Sequence, residues 1–268
     1  MLEQTEAKYL KLKEFLRRLE SAVIAFSAGV DSTLLLKVAH DELGDNVVAV
    51  TAVSPTYPSD ELEQAKHLSN KIGARLILIN TREFEKEEFF ANTPQRCFFC
   101  KTELFSLLKE ESLKLGFKHI LYGANADDTN DFRPGMKAAQ QAHAIAPLLE
   151  VGLTKSEIRE ISKYLGLETW NKPSYACLAS RIPYGTRITP DILKKIEIGE
   201  KLLHELGFVQ SRIRYHGDIA RIEVLQEELP LIIKSEIRTR IIKQLKEQGF
   251  KYITVDIEGY RTGSMNQP

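Results

Sequence analysis

The spacing of hydrophobic and polar positions changes along the chain, and the changes predict its elements. Short apolar runs at Ala22–Phe26, Val47–Val53, Arg75–Ile79 and His119–Tyr122 have the length of buried strands. Amphipathic stretches at helical spacing follow them: Thr33–Leu43, Ser59–Ile72, Lys101–Leu115 and Lys155–Leu165. Strands alternating with helices predict a parallel sheet covered on both faces, with ligands at the carboxyl ends of its strands. The turn Ser27–Ser32, the loop after Val53 and the loop after Gly123 would then share one rim. The pattern changes after about Arg187. An amphipathic stretch, Pro190–Leu206, ends at Gly207. Strand-like runs Ser211–Tyr215 and Ile219–Leu225 meet through His216, Gly217 and Asp218, a hairpin signal. A helical region, Pro230–Gln248, leads to a last strand, Tyr252–Ile257. The prediction is an α/β domain over 1–187 and a small α+β domain with an antiparallel sheet over 188–268. Thr186–Thr189 is the predicted boundary.

Charge narrows the class of partner. Lys and Arg total 37 and Asp and Glu total 37, so no long-range basic field draws a polyanion such as tRNA. No apolar stretch approaches the roughly 20 residues of a membrane span. The N-terminal Leu2–Glu20 mixes Glu and Lys through an amphipathic pattern and does not read as a signal peptide. The expectation is a cytoplasmic protein with neither a nucleic-acid nor a membrane partner.

Chemistry first appears between the first strand and the first helix of the alternating region. Ile24–Thr33 reads Ile-Ala-Phe-Ser-Ala-Gly-Val-Asp-Ser-Thr, which is strand, tight turn, helix. Such a turn gathers free backbone N–H groups and the positive end of a helix dipole, the geometry that suits polyphosphate. No lysine lies in the turn, and the Gly-x-x-x-x-Gly-Lys-Ser/Thr pattern of common nucleotide loops is missing. The stretch resembles the PP-loop, Ser-Gly-Gly-x-Asp-Ser, of the ATP pyrophosphatases. Ser27, Gly29, Asp31 and Ser32 match it, with Val30 at the variable position, and Ala28 stands where that pattern has its first glycine. The resemblance implies a Rossmann-like domain that cleaves ATP between the α and β phosphates and adenylates a substrate. The structural alternative is an ordinary helix cap at Ser27 or Asp31.

Three cysteines form a second constellation. Cys97 and Cys100 are a Cys-x-x-Cys pair, preceded by Thr93-Pro94 and followed by a helical stretch from Lys101. A helix N-terminus with Arg96 and Lys101 beside it favours the thiolate form that binds metal. Cys177 lies in Pro173–Gly185, a Pro-, Ser- and Gly-bearing loop. Four readings stand side by side: small buried hydrophobes, a redox pair, a zinc site short of a fourth ligand, and a [4Fe–4S] cluster on three thiolates with one open iron. Beside a PP-loop the fourth gains a use: activate an oxygen, then replace it with sulfur.

A third constellation follows the fourth strand. Gly123-Ala-Asn125-Ala-Asp127-Asp128 crowds carboxylates and amides into one loop, suited to ribose, Mg²⁺ or substrate, or simply to a solvated turn. Many PP-loop enzymes carry Gly-x-Asn-x-Asp-Asp at this place. Further segments resemble the LarE sulfur transferases: Asp128-x-x-Asp131-x-Arg133-Pro134-Gly135, Ala146–Leu149, Leu153-Thr154-Lys155-x-Glu157-Ile158-Arg159, Ser180-Arg181-x-Pro183-Tyr184-Gly185, and Arg212–Glu223. The match runs in order over nearly the whole chain.

That resemblance implies a homo-oligomer, a hexamer in the family. It also implies adenylation of a carboxylate of pyridinium-3,5-biscarboxylic acid mononucleotide, which sulfur then converts to a thiocarboxylate on the way to a nickel-pincer cofactor. Some members sacrifice the sulfur of one cysteine before the Ser-Arg-x-Pro-Tyr-Gly segment. Others carry three cysteines, as here, and resemble cluster-dependent thiolases. The expected roles follow. Ser27, Gly29, Val30, Asp31, Ser32, Gly123 and Asp128 hold ATP, Asp31 helps place Mg²⁺, and Cys97, Cys100 and Cys177 hold a [4Fe–4S] cluster fed by hydrosulfide. Arg181, Arg212, Arg214 and Glu200 are candidates for substrate, since arginine binds phosphate and carboxylate bidentately; solvated surface residues are the alternative. Three other functions compete with this one: a tRNA thiolase, an amidating synthetase with structural zinc, and a nucleotide sensor with silent cysteines.

Overall fold

The computed structural model describes residues 1–130, 134–173 and 177–261. Two compact units divide the chain: Met1–Phe89 with Pro94–Ser174, and Phe90–Thr93 with Tyr175–Pro268.

The first unit is built on four strands: β1 Ala22–Ala25, β2 Val47–Val53, β3 Arg75–Asn80 and β4 His119–Leu121. They pair in parallel, as the alternating pattern predicts, and the structure adds their order, β3-β2-β1-β4. Strand alternation sorts the side chains into two cores. Ala22, Ile24, Val47, Ala49 and Leu121 join helices α1 (Glu3–Arg17), α2 (Val30–Leu43) and Lys155–Tyr164 on one face. Val23, Val48, Val50 and Ile120 join Phe105, Leu108, Ala138 and Ala139 on the other. Helix α3 (Ser59–Ile72) connects β2 to β3. The chain runs outward from β1 to β2 and β3, then returns to place β4 on the opposite side of β1. That reversal makes the carboxyl ends of β1 and β4 a topological switch point, the place where such sheets bind ligands.

The second unit has three strands: β5 Ser211–His216, β6 Ile219–Val224 and β7 Tyr252–Val255. β5 and β6 form the expected antiparallel hairpin, but β7 lies parallel to β6, so the sheet is mixed rather than antiparallel. The cause is the helix Ser235–Glu247 between β6 and β7, which carries the chain back to the starting end of β6. Helix Pro190–Glu205 seats against this sheet through Gly199. A Cβ there would lie 2.9 Å from Leu245 and 3.0 Å from Ile213. The helical stretch expected over Pro230–Gln248 is two helices, Leu229–Ile232 and Ser235–Glu247.

The change of unit falls ahead of the boundary expected at 187/188, because the segment before it is tied inside the second unit. Arg181 pairs with Glu200. The buried Asn92 amide donates to the carbonyls of Ile182, Pro183 and Thr186, and the Asn92 carbonyl accepts from the Gly185 N–H.

Candidate active site

The turn after β1 is held by the strands beside it. The Phe26 N–H donates to the Val50 carbonyl at 2.9 Å, and the Phe26 carbonyl accepts from Thr51 Oγ1 at 2.8 Å. Ala28 then reverses the chain with φ +55°, in the left-handed region. An L-residue there costs about 1–2 kcal/mol that glycine does not pay. Gly29, the N-cap of α2, has φ −79° and ψ 166°, extended backbone that any residue adopts. The conformational demand therefore falls on Ala28, where the PP-loop pattern carries glycine. The first amide of the helix to find a helical carbonyl is Thr33 N–H, 2.9 Å from Gly29 O. The N–H groups of Val30, Asp31 and Ser32 precede it and have no acceptor within the helix.

The carbonyls of the same turn are tied back. Tyr57 Oη donates to Ser27 O at 2.9 Å, and Lys172 Nζ donates to Ala28 O at 3.1 Å. Ser32 Oγ lies 3.1 Å from Ser27 Oγ, accepts from Ser27 N at 3.3 Å and donates to Gly29 O at 3.2 Å. Acceptors are thus engaged on the protein side while helix-start donors remain, which is the polarity an anion needs. The Lys172 ammonium is almost buried and pairs with Glu61 at 2.6 Å. Burial pulls its pKa below the usual lysine value, and the Glu61 carboxylate opposes that fall.

The loop after β4 meets this turn from the other side of the switch point. A Cβ on Gly123 would sit 3.0 Å from Ser32 N and 3.3 Å from Asp31 Cβ, so only glycine lets the two backbones approach this closely. The buried Asn125 reaches Asp31 Oδ1 at 3.4 Å, and Lys155 Nζ forms an ion pair with Asp31 Oδ2. Lys155 is positioned at a helix start whose Thr154–Glu157 capping box is complete. Its backbone N–H donates to Asp127 Oδ2 at 2.8 Å. Asp128 is buried and accepts from the Asn125 N–H at 3.0 Å, which shapes the loop. Asp131 and Arg133 lie outside the described residues.

Cys97 and Cys100 stand at the start of one helix. It spans Arg96–Leu115 and so begins at Arg96, earlier than the expected Lys101, with Pro94 just before it. Both thiols fall within the first turn and a half, three residues apart and on neighbouring positions of one face. Cys97 is exposed and accepts from Arg96 Nη2 at 3.7 Å. Cys100 is half-buried, and its Sγ donates to Glu83 Oε2 at 3.0 Å. The buried Glu83 also accepts from Thr56 Oγ1 at 3.1 Å. Cys177, in the second unit, is an exposed free thiol; Ser174, Tyr175 and Ala176 before it lie outside the described residues. Among the described residues no cluster of three or more His, Cys, Asp or Glu side chains is arranged to hold a metal ion. Two thiols on one helix face beside a guanidinium are nonetheless the donor chemistry of a thiolate-bound group.

The second unit buries Arg181, Arg212 and Arg214. Arg181 grips Glu200 with two hydrogen bonds, Nε to Oε1 at 2.9 Å and Nη2 to Oε2 at 2.8 Å. Its Nη1 donates to Ser180 Oγ at 2.9 Å and to the Cys177 carbonyl at 3.2 Å. Burial works to raise the Glu200 pKa, but Arg181, Arg212 and the Ile213 N–H outweigh it and hold the carboxyl below its usual range. Arg212 and Arg214 share a strand face, as alternation predicts, and both are buried rather than solvated. Arg214 pairs with Glu223 at 2.7 Å, and Arg221 shares that carboxylate at 3.0 Å. Arg212 stacks over Tyr260 with its guanidinium carbon 5.2 Å from the ring centre. Burial lowers its pKa, and the like charge of Arg181 adds to the fall, partly offset by Glu200. Glu200 is not a solvated helix residue but a buried carboxylate paired with Arg181.

The sequence did not single out Lys172, Tyr57, Glu61 or Glu83. Asn125 belongs to the amide- and carboxylate-rich loop after the fourth strand, and Lys155 has no sequence signal beyond the family resemblance of its segment. Lys172 sits directly before Pro173, and Tyr57 between two prolines, Pro55 and Pro58. Neither context names a partner.

No family model matches the chain. It is 41% identical over 262 residues to an uncharacterized protein of Synechocystis, covering 98% of each chain. It is 37% identical over 252 residues to the pyridinium-3,5-bisthiocarboxylic acid mononucleotide synthase of Lactiplantibacillus plantarum, covering 94% of this chain and 91% of that one. A tRNA-specific 2-thiouridylase of Treponema denticola is 27% identical over 190 residues, 56% of this chain and 51% of its own.

Proposed function

The chain belongs to the LarE family of PP-loop, ATP-dependent sulfur transferases, and from that premise we propose that it makes a thiocarboxylate from a carboxylate of pyridinium-3,5-biscarboxylic acid mononucleotide. The observation that supports this most is the turn Ser27–Ser32, with its carbonyls tied back and its helix-start N–H groups free of helical acceptors.

In the proposed reaction ATP lays its phosphates on the N–H groups of Val30, Asp31 and Ser32. Asp31, backed by Asn125 and Lys155, has the oxygen ligand that Mg²⁺ prefers. Lys155, paired with Asp31, would lend its positive charge to the leaving pyrophosphate. A carboxylate oxygen of the substrate attacks the α-phosphorus, and the bond to the β-phosphate oxygen breaks. The acyl adenylate then has AMP as its leaving group. Hydrosulfide adds to the acyl carbon, AMP departs with the bonding pair, and the thiocarboxylate remains.

Arg212 and Arg214 are proposed to bind the substrate phosphate or second carboxylate, because alternation on β5 puts both on one face and a guanidinium takes either group bidentately. Arg181 and Glu200 act beside them by fixing the backbone at Cys177. A [4Fe–4S] cluster on Cys97, Cys100 and Cys177 would supply an open iron to carry hydrosulfide. The thiols and Arg96 suit it, and a cytoplasmic setting would keep them reduced. The second reading is a single-turnover transfer from Cys177, favoured by that thiol's exposure. A homo-oligomer is carried over from the family and is checked by light scattering of the purified chain.

Anaerobic reconstitution with iron and sulfide tests the sulfur source. About four irons per chain, lost in Cys97→Ala, Cys100→Ala and Cys177→Ala alike, is the result expected. No uptake, or uptake indifferent to Cys177, would leave the single-turnover donor. Pyrophosphate release that depends on the mononucleotide tests the first half reaction.

A further inference from the structure

The PP-loop turn contains a contradiction that the sequence alone does not reveal. Ala28 occupies a left-handed conformation, φ +55°, that alanine disfavours, and it does so fully buried. Strained backbone persists only where its surroundings enforce it. The group positioned to enforce it is Lys172, whose ammonium donates to the Ala28 carbonyl at 3.1 Å. Lys172 is itself fixed. Its Nζ pairs with Glu61 at 2.6 Å and donates to Gln64, both on α3. Its backbone is clamped by Arg159, whose Nη2 donates to the Lys172 carbonyl at 2.8 Å and whose Nη1 donates to the Trp170 carbonyl at 2.7 Å.

We propose that Lys172 is a positioning residue for ATP binding: it holds the Ala28 peptide with its carbonyl inward, so that a turn without its first glycine still presents its N–H groups to phosphate. The lysine missing from the turn in sequence is thus supplied from the far end of the same unit, but to a carbonyl rather than to the nucleotide. Lys172 need not touch ATP, so its role is separable from that of a phosphate contact. The inference rests on the PP-loop reading above.

The test is a coupling experiment. Lys172→Met alone would leave Glu61 buried without its cation and could unfold the unit. Glu61→Gln is therefore combined with it. Full-length wild type, Lys172→Met/Glu61→Gln, Ala28→Gly and the triple variant are compared for Mg·ATP affinity by calorimetry and for thermal midpoint. The Lys172→Met/Glu61→Gln protein is expected to bind ATP about 10-fold more weakly. Ala28→Gly should restore about 5-fold in that background, which corresponds to ~1 kcal/mol of relieved strain. In wild type the same change should alter affinity less than about 2-fold, because Lys172 already holds the turn. A gain from glycine that is equal in both backgrounds would overturn the inference, as would unchanged affinity without Lys172. Loss of affinity that tracks the thermal midpoint and ignores Ala28→Gly would reduce Lys172 to a stability role, and so would also overturn it. A wild-type chain that binds no ATP would instead sink the nucleotide reading, and the inference with it.

Discussion

The two units present their hydrogen-bond donors by opposite means. In the first, the donors are backbone N–H groups at the start of α2, and the charged side chains around them face other protein groups: Lys172 faces a carbonyl and Glu61, and Lys155 faces Asp31. In the second, the donors are guanidinium groups on β5 and beside it, buried and balanced by Glu200 and Glu223. Backbone donors cost little to keep, since a helix start is polar whether or not a ligand is bound. Buried guanidinium groups need carboxylate partners to exist at all. The first site should therefore respond to changes of shape, and the second to changes of charge.

Removing a charge in the second unit is the strongest way to separate them. Glu200→Ala should cost about 3–5 kcal/mol of stability, because Arg181 would stay buried without its carboxylate. Denaturant titration measures the loss, and Mg·ATP affinity of the protein that remains folded should hold. A loss below about 1 kcal/mol would mean that Arg181 finds water or another partner easily.

Acid sharpens the same contrast. Glu200 has its folded pKa below the ordinary 4.5, so its contribution is complete above that value. The contribution fades as pH falls through the lowered value. Stability should drop as pH falls below about 4.5 through the lowered value, and Glu200→Gln should flatten that part of the profile. A wild-type profile no steeper than the variant's would remove Glu200 from the account.

In the first unit, shape should decide. Gly123→Ala places a Cβ 3.0 Å from Ser32 N, against backbone that cannot swing away, and should cost about 1–3 kcal/mol together with ATP affinity. Gly29→Ala is the smallest effect and the most telling. Its Cβ would lie 3.5 Å from Ser27 Oγ, an ordinary contact, and its φ is already negative. Stability should change by less than about 1 kcal/mol, although Gly29 is a pattern glycine and Ala28 is not. A large loss at Gly29 would reverse the assignment of strain to Ala28.

The sequence by itself determined the parallel pairing of strands in the first unit and the hairpin of the second. It also singled out the turn Ser27–Ser32 as the candidate for polyphosphate. These readings rest on local patterns: apolar period, turn chemistry, and residue types close together along the chain. It located the three cysteines but placed the Cys97 helix start too late, since the run Arg96–Cys100 has no strong helical period of its own.

Tertiary structure decided what distant residues do to one another. Lys172 and Ala28 stand 144 positions apart and meet at one carbonyl. Asp31 meets Lys155 across 124 positions. Arg212, Arg214 and Glu200 read in sequence as substrate candidates with a solvated surface as the alternative, and burial removes that alternative. β7 joined its sheet in parallel because of where a helix returned the chain, which no strand's own residues record. In each case the deciding quantity is the distance or burial of a partner, and a linear pattern carries neither.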